Sequence, residues 1–240
     1  MKPHVLVRLS WSGAVLAALC LGTSGCRTGG EDDGHDAQVR LINAAAGTEE
    51  LAVAVDGRRV WKHSAFRSST GYGGVKAGTY PVTLEARRGG QLLSSRAYFV
   101  CAEGHAYTVL ALSGAGEGAP EMRIFSEDRD APIPGGKARV RFVNAVAGAH
   151  AQDMVINNIA ALTDVPPGSR SRPLLLEPGA YDVKVDAAGD ADALVGPTNL
   201  RFQAGHAYTL ISMGRAGADA ADPQQGVSLE MYPDDKSGGD

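Results

Sequence analysis

The chain has 240 residues, 44% of them hydrophobic and 21% charged, with 31 Gly, 12 Pro, three Cys and a formal net charge of −4. That balance excludes a wholly disordered chain, a collagen-like repeat and a disulfide scaffold, and its weak acidity removes the usual electrostatic case for a nucleic-acid partner. The length allows one large domain or two of ordinary size, each able to bury a core.

The N-terminus opens with Lys2 and Arg8, followed by an uncharged apolar run from Gly13 to Leu21 and then small residues. This predicts a cleaved signal peptide over 1–25. The run is too short to span a bilayer, which takes about 20 apolar residues. Its end, Thr23-Ser24-Gly25-Cys26, resembles the lipobox of bacterial lipoproteins, with Thr23 where that motif favours Leu. The resemblance implies that Cys26 becomes a lipidated N-terminus, so that the protein is extracytoplasmic, held in the cell envelope on its periplasmic side or at the surface. Several acyl chains, at about 0.8 kcal/mol per buried CH₂, make such an anchor essentially permanent. Residues 26–37 read as a flexible tether, and Asp32, Asp33, His35 and Asp36 within it as solvated linker residues rather than a metal site, which needs preorganised ligands.

Shifted by 101 residues, the sequence matches itself. Val39-Arg40-Leu41-Ile42-Asn43-Ala44 falls on Val140-Arg141-Phe142-Val143-Asn144-Ala145, and Gly104-His105-Ala106-Tyr107-Thr108 recurs as Gly205-His206-Ala207-Tyr208-Thr209. After Leu110 the offset slips to 107, where Ile124-Phe125 meets Met231-Tyr232. This is a tandem duplication. It predicts one domain over 38–128, a partly stiffened linker over 129–137 carrying Pro132 and Pro134, a second domain over 138–233, and a loose acidic tail over 234–240.

Within each copy the apolar period is two. Tyr80, Val82, Leu84 and Ala86 alternate with polar neighbours, as do Tyr181, Val183 and Val185, which predicts strands with one wet face. Asp56-Gly57 and Asn157-Asn158 suit the positive φ of tight hairpins, and Gly89-Gly90 and Gly189-Asp190 punctuate the next ones. Tyr107–Leu112 and Tyr208–Met213 are apolar at nearly every position, which predicts central strands covered on both sides. About seven short strands per copy and no amphipathic helix point to an all-β chain, with two tandem immunoglobulin-like antiparallel β-sandwich domains after the signal peptide. The repeated Gly-His-Ala-Tyr places Tyr107 and Tyr208 where a tyrosine corner closes onto nearby backbone, with His105 and His206 as parts of the same structural turn.

The Val-Arg-hydrophobic-hydrophobic-Asn-Ala opening, the Asp-Gly hairpin, Gly78-Thr79-Tyr80 and the late Tyr107-Thr108-Val109 together resemble the bacterial domain of unknown function 4397, found in tandem in exported lipoproteins. The resemblance covers both copies and implies no activity. The run after the opening motif departs from the family's Ala-Ser-Pro-Asp, reading Ala44-Ala45-Ala46-Gly47 and Ala145-Val146-Ala147-Gly148.

No nucleophile elbow, phosphate loop or zinc-protease motif is present, so no catalytic residue, metal ligand or cofactor is assigned. Cys101 aligns with Phe202 and reads as a small buried hydrophobe, which leaves no partner for an internal disulfide. The copies differ most at Trp61, Lys62, His63, Phe66, Arg67 and Tyr72, which face Leu162, Thr163, Asp164, Pro167, Gly168 and Pro173. Aromatic and Arg side chains are what binding hot spots use, so Trp61, Phe66, Arg67 and Tyr72 are candidate ligand-binding residues, the alternative being that Trp61 packs the first core as Leu162 packs the second. The function expected is non-enzymatic: an anchored envelope lipoprotein with a structural, adhesion or partner-binding role. The alternative is a carbohydrate- or peptidoglycan-binding envelope protein using the aromatic and basic surface of the first copy, and a remote one is a hydrolase accessory. The partners expected are the membrane, through lipid on Cys26, and an envelope protein or glycan, with no nucleic acid; the sequence leaves the oligomeric state open.

Overall fold

A computed structural model describes residues 36–116, 118–127, 129, 131–190 and 193–234. The leader and Cys26, expected to carry the lipid, lie outside the described residues. The first copy contains β1 (Ala37–Ala44), β2 (Glu50–Val55), β3 (Arg58–Ser64), β4 (Gly73–Val75), β5 (Gly78–Arg88), β6 (Gln91–Cys101), β7 (Ala106–Leu112) and β8 (Glu121–Glu127). A 3-10 turn over Pro134–Gly136 precedes the second copy: β9 (Ala138–Ala147), β10 (Gln152–Ile156), β11 (Ile159–Val165), β12 (Leu174–Leu176), β13 (Gly179–Ala187), β14 (Ala193–Phe202), β15 (Ala207–Arg215) and β16 (Ser228–Pro233).

Each copy is a sandwich of two four-stranded sheets, β4-β1-β7-β8 on β3-β2-β5-β6 and then β12-β9-β15-β16 on β11-β10-β13-β14. The count is eight strands per copy rather than seven, because the three-residue β4 and β12 are too short to show an alternation. Pairing is antiparallel except that β1 runs parallel to β7 and β9 parallel to β15. The predicted hairpin dipeptides supply positive φ on both residues: 53° and 76° at Asp56-Gly57, 48° and 64° at Asn157-Asn158, and 54° and 76° at Gly89-Gly90. Those values match the right-handed twist of the flanking strands.

Alternation sorts each central strand between two cores. Val39, Leu41, Val109 and Ala111 point into the first sandwich against Leu51, Val53, Val82 and Leu84. Val140, Phe142, Tyr208 and Leu210 do the same in the second, against Met154, Val183 and Val185. The residues of opposite parity, Ile42, Ala44, Leu110 and Leu112, meet Val143, Ala145, Ile211 and Met213 in a third core that joins the copies. The four sheets therefore stack, with β3-β2-β5-β6 and β11-β10-β13-β14 outermost. The second cover predicted for Tyr107–Leu112 and Tyr208–Met213 is the sister copy.

Polar groups in the sandwiches are held by backbone. The Tyr107 hydroxyl accepts from the Ala102 N–H at 3.0 Å and that of Tyr208 from the Gln203 N–H at 3.2 Å. The backbone carbonyls of His105 and His206 accept from the N–H groups of Gln38 and Arg139, tying each turn to the first strand of its copy. Asn43 and Asn144, fully buried, donate through Nδ2 to the carbonyls of Ser64 at 2.8 Å and Val165 at 3.0 Å, linking the two sheets of each sandwich. Cys101 is a free, buried thiol whose pKa is pushed up by burial, in keeping with a packing role. Removing the hydroxyl in Tyr107→Phe is expected to lower the stability of the first sandwich by about 1 kcal/mol, read as a shift in urea midpoint; an unchanged midpoint would show that the bond contributes nothing.

Candidate functional site

Two places concentrate charge: the seam between the copies and the outer face of β3-β2-β5-β6. At the seam, Arg40 lies on the same side of β1 as Ile42, and Arg141 on the same side of β9 as Val143, so strand parity drives two guanidinium groups into an apolar boundary. Arg40 and Arg141 are only 2% and 6% exposed, as are Asp234 at 3% and Glu127 at 6%. Charges this deep must be paired. The pairs are exchanged: Arg40 of the first copy grips Asp234 at the end of the second, and Arg141 of the second donates to Glu127 at the end of the first, at 3.3 Å. Arg40 also donates from Nε to Thr108 Oγ1 at 2.9 Å and from Nη1 to the Pro233 carbonyl at 2.6 Å. Thr209 donates to the Asp234 carboxylate at 2.8 Å, and Arg170 to Glu127 at 2.8 Å. Arg40 with Arg141 and Thr108 with Thr209 are partners at the 101-residue offset, and Glu127 with Asp234 at the 107-residue offset. The seam thus has an approximate twofold, as an isologous interface does.

This corrects one expectation. Asp234 is not part of a loose tail, because its carboxylate is the counter-ion of Arg40. Within the segment read as the linker, Arg129 donates from Nε to the Asp234 carbonyl at 3.0 Å. Burial raises the pKa of Glu127, with the Asp234 charge adding to the effect and Arg170 opposing it.

The four residues expected as a ligand surface do not form one open patch. Trp61 packs on the first core opposite Val53, as Leu162 does opposite Met154 in the second. Phe66 is buried in the seam core. Arg67 covers the Phe66 ring at 4.9 Å and donates to the Gly226 carbonyl at 2.8 Å, while its own carbonyl accepts from the Tyr232 hydroxyl at 2.9 Å. Tyr72 lies between the guanidinium groups of Arg40 at 4.8 Å and Arg129 at 4.0 Å, and burial pushes its phenol up to about 12. Phe66, Arg67 and Tyr72 thus serve the molecule's own seam, and Trp61 serves the first core.

Lys62 and His63, from the same divergent segment, point the other way. They join Glu50, Ala52, Arg59, Glu85, Arg87 and Leu92 around a depression of about 460 Å³ on the outer face of β3-β2-β5-β6. Glu50 is paired with His63, and Arg59 places Nε at 3.0 Å and Nη2 at 2.5 Å from one oxygen of Glu85. Lys62 and Arg87 are exposed, and their side chains have no partner among the described residues. In the second copy the matching positions are Ala151, Asp153, Ala160, Thr163, Asp164, Asp186, Ala188 and Ala193, which remove the cations and add acid. Among the described residues no group of three His, Cys, Asp or Glu is arranged to hold a metal ion.

A family model for the domain of unknown function DUF4397 matches residues 37–151 and again 138–237. The chain belongs to the DUF4397 family. The two matched regions correspond to the two tandem sandwiches of this DUF4397 protein. No curated protein matches the chain. A crystal structure of a candidate cell adhesion protein from Bacteroides fragilis NCTC 9343 aligns with 82% of this chain and 97% of its own, at 10% identity and a TM-score of 0.21, a score at which the likeness carries no argument.

Two predictions test the DUF4397 seam. Arg40→Met leaves the Asp234 carboxylate buried without its cation and is expected to cost about 3–5 kcal/mol in urea unfolding, whereas Arg40→Met with Asp234→Leu recovers most of that loss. Equal losses in the single and double variants would show the pair to be uncoupled. The second concerns Glu127, whose raised pKa means that the folded state holds this proton more tightly than the unfolded chain. Its stabilising contribution is therefore complete below the unfolded value of about 4.3 and is lost as pH rises through the higher folded value. Glu127→Gln is expected to flatten the fall in urea midpoint over that interval, and a pH profile parallel to wild type would refute it.

Proposed function

We propose that this protein is a non-enzymatic envelope module, lipid-anchored through Cys26, that uses the outer face of β3-β2-β5-β6 to hold an extracytoplasmic partner. The observation that carries this reading is the division of labour between charged groups. The buried arginines and carboxylates neutralise one another across the seam, so these charges hold the two copies together. The cations Lys62 and Arg87, without a partner among the described residues, lie beside a concave surface of the first copy, where the second copy has Thr163 and Ala188. A duplicated domain that keeps its seam in both halves but specialises one outer face is organised as a scaffold plus a binding surface. The lipobox-like Thr23-Ser24-Gly25-Cys26 supports presentation outside the cytoplasm, with residues 26–37 as the proposed tether up to Ala37, where β1 begins.

Metabolic labelling with an alkyne fatty acid should mark the wild-type chain, and Cys26→Ser should abolish the label and move the protein into the soluble fraction. A Cys26→Ser chain that stays labelled and membrane-bound would overturn the anchor. For the surface, the purified Cys26→Ser chain, which lacks the anchor, should sediment with isolated cell-envelope material, and adding Lys62→Glu and Arg87→Glu to it should abolish sedimentation; equal sedimentation would overturn the role given to this face.

A further inference from the structure

Resting on that reading of the outer face, we infer that the depression between Lys62 and Arg87 is a subsite for a carboxylated sugar, as found in uronic-acid glycans. The lining supplies two kinds of polar group. Lys62 and Arg87 are cations free to take a carboxylate, and Arg59 already demonstrates the geometry by gripping the Glu85 carboxylate through two nitrogens. Glu50 and Glu85 are acceptors, which suit the hydroxyl donors of a sugar ring. A phosphomonoester would set its double charge against both carboxylates, so the mixed lining favours a singly charged ligand that also donates from hydroxyls. Leu92, 52% exposed at the rim, offers an apolar surface to the C–H face of a pyranose.

The size and setting agree. A volume of about 460 Å³ falls within the range for small-molecule sites and accepts one or two sugar rings. The outward side of β6 continues the surface from Leu92 through Ser94 and Arg96 to Tyr98, which is 67% exposed and lies beneath the Arg96 guanidinium at 6.0 Å. A longer acidic glycan can run along this strand, with its carboxylates near cations and one ring against Tyr98. The second copy provides an internal contrast. Thr163 and Ala188 replace the cations, Asn199 replaces Tyr98, and Asp153 and Asp164 add negative charge, while Asp186 is buried and paired with Lys184 at 2.9 Å.

The test uses the full chain in detergent, titrated with trigalacturonate, with its methyl ester and with inorganic phosphate, and followed by calorimetry and amide NMR shifts. Trigalacturonate should bind saturably, with shifts confined to β2, β3, β5 and β6, and binding should weaken as salt is raised. The methyl ester should bind at least about tenfold more weakly, as should trigalacturonate to the Lys62→Thr, Arg87→Ala chain, whose two exposed substitutions should leave the urea midpoint unchanged. An ester that binds as well as the acid, phosphate that competes at equal concentration, or a double variant that binds like wild type would each overturn the carboxylated-sugar assignment. If trigalacturonate fails to bind while Lys62→Glu with Arg87→Glu still abolishes envelope sedimentation, the ligand class falls and the surface reading stands. If sedimentation also survives that charge reversal, both fall.

Discussion

The exchange of buried charge between the copies is the constraint around which this molecule is organised. Arg40 and Arg141 occupy strand positions that face neither their own core nor water, and each pairs with the carboxylate that ends the other copy. The apolar residues around them, from Ile42 and Leu110 to Ile211 and Met213, provide the non-directional attraction. The ion pairs add little net attraction once desolvation is counted, but they penalise any other register, because a slipped seam would bury unpaired charge. Exchanging partners across an approximate twofold also closes the interface on itself, so the remaining flat surfaces are the two outer sheets.

Much of the fold was legible in the sequence because period-two alternation and turn chemistry are local. The positive-φ dipeptides at 56–57, 89–90 and 157–158 and the fixed offset between copies define hairpins and strands without tertiary information. The continuous apolar runs at Tyr107–Leu112 and Tyr208–Met213 also announced two covered faces. The identity of the second cover was not legible, because alternation reports that a face is dry and not what makes it so. Glu127 and Asp234 were hidden for a related reason: each stands at the edge of a polar stretch with the composition of a linker or tail. The signal that could have exposed them is their equivalence at the shifted offset, together with the duplicated arginines that require counter-ions.

The candidate site shows the same limit. Trp61, Phe66, Arg67 and Tyr72 stood out because the copies differ there, and the difference is real, but three of the four lie at the seam. Asymmetry between duplicates marks a position as specialised without saying whether it has specialised toward a ligand or toward its sister. Side-chain direction decides: on β3, Trp61 turns inward, while Lys62 and His63 line the outer depression. The long basic side chains, and not the aromatic ones, set this face apart from its acidic counterpart.

The sequence separation inside the seam bears on biogenesis. Asp234 follows Arg40 by 194 residues, so the N-terminal sandwich is synthesised well before the group that neutralises its arginine exists. For that interval the half-made protein presents a greasy sheet carrying Arg40 and Glu127 without their partners from the second copy, a surface suited to capture by a chaperone and prone to misassociation with other nascent chains. The last strand to emerge is therefore the one that completes the first domain to form.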